Sequence, residues 1–173
     1  MTNLQLSACF AALRQGEGHA FEDLYREMAT PLYTVILRIV GDRGQAEDAL
    51  QELFVRLFRS PPGEDIRNPR AYLFRMAHNL AIDQLRRREE HVSLEGLGTQ
   101  LPAADEDRAA VMDVENAVAA LPAALREIVA LHLNGGLTFR EIAVILSLPL
   151  GTVLWRYRRA IGILRDSLKG GLL

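Results

Sequence analysis

The chain has 173 residues, 49% of them hydrophobic and 24% charged, with a formal net charge of −2 at pH 7. This is ordinary globular composition and excludes a disordered, collagen-like or disulfide-built chain. Its one cysteine, Cys9, excludes an intrachain disulfide framework or a cysteine-rich zinc site and fits a reducing cytoplasm.

No window of about 18 residues is both apolar and free of charge, so no membrane span is expected. The opening segment MTNLQLSACFAALRQGEGHA lacks a basic stretch ahead of a clean apolar run, so no secretion signal is expected either. The first strong periodicity is Phe21, Leu24, Tyr25, Met28, Leu32, Val35, Ile36 and Ile39, at steps of three and four. It predicts the buried face of a long helix or a pair, with a kink or break near Pro31. After a Gly41–Gly44 turn, Ala46, Ala49, Leu50, Leu53, Phe54 and Leu57 repeat the spacing until SPPG at 60–63 ends the element. A third helix opens at Asn68–Pro69, an N-cap followed by a first-turn proline. It turns Leu73, Met76, Ala77, Leu80 and Leu85 inward and closes in Arg86, Arg87 and Arg88. Residues 89–110 lose periodicity, collect Gly, Pro, Asp and Glu, and read as a flexible linker. Beyond it, Val114, Val118, Leu121, Leu125, Ile128, Val129 and Leu133 outline further helix, with Pro122 in the first turn of a new one. Thr138 with Glu141 is a capping box opening TFREIAVIL, and SLPLG separates that helix from TVLWRYRRAIGILRDSL. This is helix–turn–helix spacing. With no alternating strand pattern anywhere, the expected fold is all-α: two small helical domains, 1–88 and 111–173, joined by the linker.

The charge is segregated along the chain. Net charge is −1 over 1–40, −3 over 41–66, +3 over 67–91, −5 over 92–127 and +4 over 128–173. Two basic blocks flanking an acidic connector suggest two surfaces that face an anion. Arginine supplies 19 of the 20 basic residues, through either its phosphate-matching fork or high-GC codon usage. No enzyme is expected: His19, His78, His91 and His132 are scattered, and no phosphate-loop, dinucleotide or nucleophile-elbow motif occurs. Glu47–Asp48 and Asp105–Glu106–Asp107 read as solvated carboxylates, and neither metal nor cofactor is expected.

Binding is better supported. On a helical wheel, Val153, Tyr157, Ala160 and Leu164 form one stripe, while Trp155, Arg158, Arg159 and Gly162 lie opposite. That face suits a recognition helix, with Arg reading guanine edges and Thr152 or Arg156 touching phosphate. The bland alternative is a solvated basic face with a tryptophan at a protein contact. Asp48, Gln51 and Glu52 share the face opposite the Leu50/Leu53/Phe54/Leu57 stripe and form a patch able to dock a basic protein surface, or an ordinary polar face. In the third helix, Tyr72 and Phe74 stand among Arg67, Arg70 and Arg75 as candidate stacking platforms for unpaired bases, Phe74 being the better core candidate.

The segments AEDALQELFVRLFR, NPRAYLFRMAHNLAIDQLRRR, LPAALREIVALHLNGGLTFREIAVIL and LGTVLWRYRRA, in this order over residues 20–168, resemble the extracytoplasmic-function (ECF) sigma factors of bacterial RNA polymerase. The resemblance implies a first domain of sigma region 2 type, which holds the polymerase clamp and opens the minus-10 element. It implies a second domain of region 4 type, which reads the minus-35 element. It places Asp48, Gln51 and Glu52 at the β′ clamp. It places Tyr72, Asn79, Asp83, Arg86, Arg87 and Arg88 at the minus-10 element, and Thr152, Trp155, Arg156, Arg158 and Arg159 at the minus-35 element. The implied partners are core RNA polymerase through β′ clamp and β flap, promoter DNA, and an anti-sigma factor or membrane-linked regulator. Leu154 and Trp155 depart from the basic residue and serine common in the family, and Ser147 departs from a frequent turn glycine. A sigma-like adaptor or anti-activator that binds a regulator without directing transcription is the alternative, and a dimeric repressor would leave the region 2 match unexplained.

Overall fold

The computed structural model describes residues 1–95 and 109–170, and every regular element among them is helical. The chain divides into two compact units, Met1–Arg88 and Glu89–Leu173.

The first unit opens with an element that the apolar periodicity did not reveal. Helix α1 (Asn3–Arg14) starts in a capping box: Thr2 Oγ1 accepts from the Gln5 amide at 3.3 Å, and Gln5 Oε1 accepts from the Thr2 amide at 2.7 Å. It buries Leu6, Cys9, Phe10 and Leu13. Helix α2 (Gly18–Val40) runs unbroken through Pro31 and stops at Gly41, whose φ of 72° is the left-handed cap that glycine tolerates. Of the two expected forms, one long helix or a pair, the chain takes the first, without a break at Pro31. An interior proline costs about 3 kcal/mol, whereas Met28, Leu32, Val35 and Ile36 around it are all buried, each contributing about 1.5–3 kcal/mol. Helix α3 (Arg43–Arg59) begins at Asp42, whose Oδ1 accepts from the Gln45 amide at 2.8 Å.

Helix α4 (Pro69–Glu95) is capped twice. Asn68 Oδ1 accepts from the Ala71 amide and, from α1, Asn3 Oδ1 accepts from the Arg70 amide, both at 3.0 Å. The loop ahead of it is also tied to α1, with Arg14 Nη1 donating to the Pro62 carbonyl at 2.6 Å. Helix α4 continues past Arg88 to Glu95, into the stretch expected as linker; residues 96–108 of that stretch lie outside the described residues.

The second unit comprises α5 (Ala109–Ala119), α6 (Ala123–Val129), a π-helical turn (Ala130–Asn134), α7 (Phe139–Leu146) and α8 (Leu150–Gly170). Pro122 occupies the N-cap of α6, one place ahead of the expected first turn. The core gathers Val118, Leu121, Leu125, Val129 and Ala160, with Tyr157 and Leu164 packed against it. Val114 and Leu133, expected in the buried stripe, are exposed. The π-turn explains the shift after Val129: its wider i to i−5 bond, Gly135 amide to Ala130 carbonyl at 3.0 Å, breaks the 3.6-residue register. Gly135 is required there, because a Cβ at this position would collide with the Leu131 carbonyl oxygen. The expected Thr138–Glu141 capping box opens α7, and Ser147 turns the chain toward α8 in the left-handed conformation at φ 53°. His132, Phe139 and Tyr157 lock the π-turn to both helices of this motif: His132 stacks on Phe139 at 4.3 Å and meets the Tyr157 edge at 5.0 Å. The Leu137 carbonyl can only accept, so the 2.8 Å contact from His132 Nδ1 makes that nitrogen the donor.

Candidate functional site

Asp48, Gln51 and Glu52 are exposed on α3, opposite the buried Ala49, Leu53 and Leu57. Glu52 is held by Arg56, four residues on, whose Nε donates to Oε1 at 2.7 Å. These three residues line one wall of a groove of about 510 Å³, and Leu80, Asp83, Gln84 and Arg87 of α4 line the other. Two sets assigned to separate tasks by sequence therefore meet in one place.

Along α4, the steps of seven, four and three from Tyr72 to Asn79, Asp83 and Arg86 keep all four within a sector of about 60° on one helix face. Asn79, Arg86 and Arg87 are exposed, and Arg86 lies 3.9 Å from Asp83. Arg88 is half-buried and, by the same geometry, half a turn away from Tyr72, Asn79 and Arg86. Tyr72 is half-buried, its ring meeting Phe10 of α1 edge-on at 6.3 Å. Phe74 is fully buried, with the Arg70 guanidinium 5.4 Å above its ring, which removes it as a stacking platform for bases.

A second groove, of about 800 Å³, was not visible in the sequence. Phe21 and Tyr25 of α2 and Phe54 and Phe58 of α3 line it, with Glu47, Gln51 and Arg59 at its polar edge. The rings interlock, Phe21 with Phe58 at 5.4 Å and Tyr25 with Phe54 at 4.8 Å. Tyr25, expected within the core stripe, is half-exposed, and Phe58 is 64% exposed. The only signal for this groove was an aromatic at the edge of each apolar stripe.

In α8, Val153 and Ala160 are fully buried and fix the helix by one face. Thr152 and Arg156 stand half-buried at the flanks, and Trp155, Arg158 and Arg159 project outward. From Leu150 to Arg165 the helix carries no carboxylate, so the charges on this stretch of the outward face are all cationic; Asp166 follows on the same side of the helix. Nothing comparable to a reactive centre accompanies it. Among the described residues no three His, Cys, Asp or Glu side chains converge on a metal position. Burial pushes the Cys9 thiol above its ordinary range, and its Sγ donates to the Ala20 carbonyl at 3.0 Å, which keeps it protonated.

No helix among the described residues is long and apolar enough to cross a membrane. Residues 24–91 match the Sigma-70 region 2 family and residues 112–162 the Sigma-70 region 4 family. The chain is 33% identical to the ECF RNA polymerase sigma factor SigL of Mycobacterium tuberculosis, over 84% of its own length and 87% of the relative. It is 30% identical to SigW of Bacillus subtilis, over 91% and 92%. In fold it is similar to the sigma factor RpoE of Bartonella quintana, solved with the anti-sigma factor NepR, at a TM-score of 0.72 and 23% identity over 86% of this chain and 96% of that one. It is also similar to CnrH, solved with the cytosolic domain of CnrY, at a TM-score of 0.66 and 22% identity over 96% and 98%. With both sigma regions in order on one all-helical chain and relatives matched over nearly their whole length, the chain belongs to the ECF sigma factors and is an alternative sigma factor that directs transcription initiation.

Proposed function

We propose that this sigma factor seats on core polymerase through Asp48, Gln51 and Glu52 at the β′ clamp, opens the minus-10 element along α4, and reads the minus-35 element with α8. The α3 patch suits the first task because its carboxylates are exposed and none supports the core. The Tyr72, Asn79, Asp83 and Arg86 stripe, with Arg87 beside it, suits the second: an aromatic ring and cations along one face can stack an unpaired base and follow its backbone, while Arg88, half a turn away, would reach the DNA only from the other side of the helix. For the third, Thr152 and Arg156 flank the helix at phosphate height, while Trp155, Arg158 and Arg159 face the groove.

A region 4 contact to the β flap completes the docking. One solved relative carries the anti-sigma factor NepR and the other the cytosolic domain of CnrY, and an anti-sigma factor or membrane-linked regulator is the expected inhibitor of this chain. The site of action is the cytoplasm, where the polymerase works.

The observation that carries the reading is the cationic outward face of the Leu150–Arg165 stretch of α8, fixed by the buried Val153 and Ala160. The test is promoter binding by holoenzyme assembled from core polymerase and either the wild-type chain or the Arg158→Ala, Arg159→Ala double variant. The proposal expects the variant to bind core normally and to lose discrimination between promoter and random DNA. Retained discrimination would refute the assignment of α8 as the upstream reader.

A further inference from the structure

On the outer face of α8, Trp155 and Arg159 are not independent. They are four residues apart, one turn of helix, and helical side chains lean toward the N-terminus, so Arg159 lies back over Trp155. The Arg159 guanidinium carbon is 5.9 Å from the centre of the Trp155 ring, within cation–π range. The ring is 60% exposed and Arg159 is exposed, so the stack is not a consequence of core packing. Arg158 is placed differently: it lines a shallow depression with Tyr157, Ile161, Gly162 and a second cation, Arg165.

We propose that Trp155 is a positioning residue for promoter specificity: its indole holds the Arg159 guanidinium in the orientation that reads one base pair of the upstream element. This rests on α8 being the upstream reader and says how that reader is tuned. A guanidinium that meets the ring by its face keeps its in-plane N–H donors free, and those donors can form the bidentate contact to guanine O6 and N7. A free arginine side chain carries considerable rotamer entropy, part of which is lost on ordering at a base edge. A ring that restricts the side chain in advance removes part of that cost, and removes it only where the orientation is used. Arg158, beside Arg165 and with no ring stacked on it among the described residues, suits the phosphates, where orientation matters less.

The test has two parts, both on the full-length chain. The protein has one tryptophan, so its emission reports the stack without DNA. Arg159→Ala should make Trp155 more accessible to acrylamide, and Arg158→Ala should not. In the second part, holoenzyme selects promoters from duplexes with a randomised upstream window, and each base pair of the selected site is then varied in binding titrations. Arg159→Ala should remove discrimination at one base pair by about five- to a hundredfold. Trp155→Ala should reduce discrimination at that same base pair by about two- to fivefold, with unchanged salt dependence. Trp155→Phe should restore most of it, and the double alanine variant should be no worse than Arg159→Ala alone.

If Trp155→Ala relaxes a different base pair, or adds to Arg159→Ala, the indole reads DNA for itself and the positioning role is wrong. An unchanged specificity profile in Trp155→Ala beside a clear Arg159→Ala effect refutes the stack alone. No effect from any of these variants, Arg158→Ala included, refutes the underlying assignment of α8.

Discussion

Reversing the α3 patch with Asp48→Lys and Glu52→Lys separates a docking surface from a merely solvated one, because the two readings differ by several kcal/mol. The cost to the fold is small. Asp48 and Glu52 are themselves a like-charged i, i+4 pair, and Glu52 offsets this through Arg56 in a bridge whose partners are 48% and 51% exposed. Such helix-surface pairs are worth about 0.3–0.5 kcal/mol. Replacing both carboxylates by lysine loses one pair and sets Lys against Arg56, so α3 weakens by about 1 kcal/mol at most. Its buried face, Ala46, Ala49, Leu53, Phe54 and Leu57, is untouched. At an interface the balance is different: reversing charges that become buried and hydrogen-bonded costs about 2–5 kcal/mol, which is about 30-fold or more in affinity. The assay is titration of labelled core polymerase with each variant, beside circular dichroism and thermal melting of the free chains. The expected result is a binding loss of at least that size with a melting curve close to wild type. Affinity within threefold of wild type, in a folded variant, would refute the assignment.

Three further outcomes follow from the local structure. Ser147→Gly should stabilise the second unit by about 0.5 kcal/mol, because it relieves a non-glycine left-handed backbone at some cost in chain entropy; a lowered melting temperature would contradict this. Thr138→Ala should destabilise the same unit by about 1 kcal/mol through loss of the α7 cap, measured by denaturant titration, and a neutral result would mean that the capping box is not formed in solution. For Cys9, whose thiol is raised by burial, the folded state disfavours the thiolate. Its contribution to stability is fully present below the unfolded thiol range, near pH 8.5, and is lost as pH rises toward the folded value. Denaturation midpoints against pH should therefore fall more steeply above that range for wild type than for Cys9→Ala, and parallel curves would contradict the burial argument.

Much of the fold was legible because α3, α4, α7 and α8 each combine an apolar stripe with a punctuating residue: Asp42, Asn68, Thr138 and Pro149 stand at their starts. Helix α1 escaped because its buried positions Leu6, Cys9, Phe10 and Leu13 are interleaved with Ser7, Ala8, Ala11 and Ala12, which blur the contrast between faces; its Thr2–Gln5 capping box was the available signal. At Pro31 the sequence left one long helix or a pair open, and the burial around the proline decides for one. Among site residues, the outward direction of Trp155, Arg158 and Arg159 followed from Val153 and Ala160 by geometry alone. The groove joining Asp48 to Asp83 and Arg87 did not, since it depends on how α3 packs beside α4. The ranking of Phe74 over Tyr72 as the core residue was legible and holds, whereas the contact of Phe10 with Tyr72 depends on where α1 packs.

The central claim, that this chain confers promoter specificity on RNA polymerase, is tested most directly by transcription in vitro. Core polymerase with and without the purified chain is supplied with fragmented genomic DNA of the source bacterium, and the 5′ ends of the transcripts are mapped. Discrete start sites should appear only when the chain is present, share common upstream elements, and be lost with Asp48→Lys, Glu52→Lys. Transcripts whose 5′ ends are the same with and without the chain, although the chain binds core, would contradict the claim.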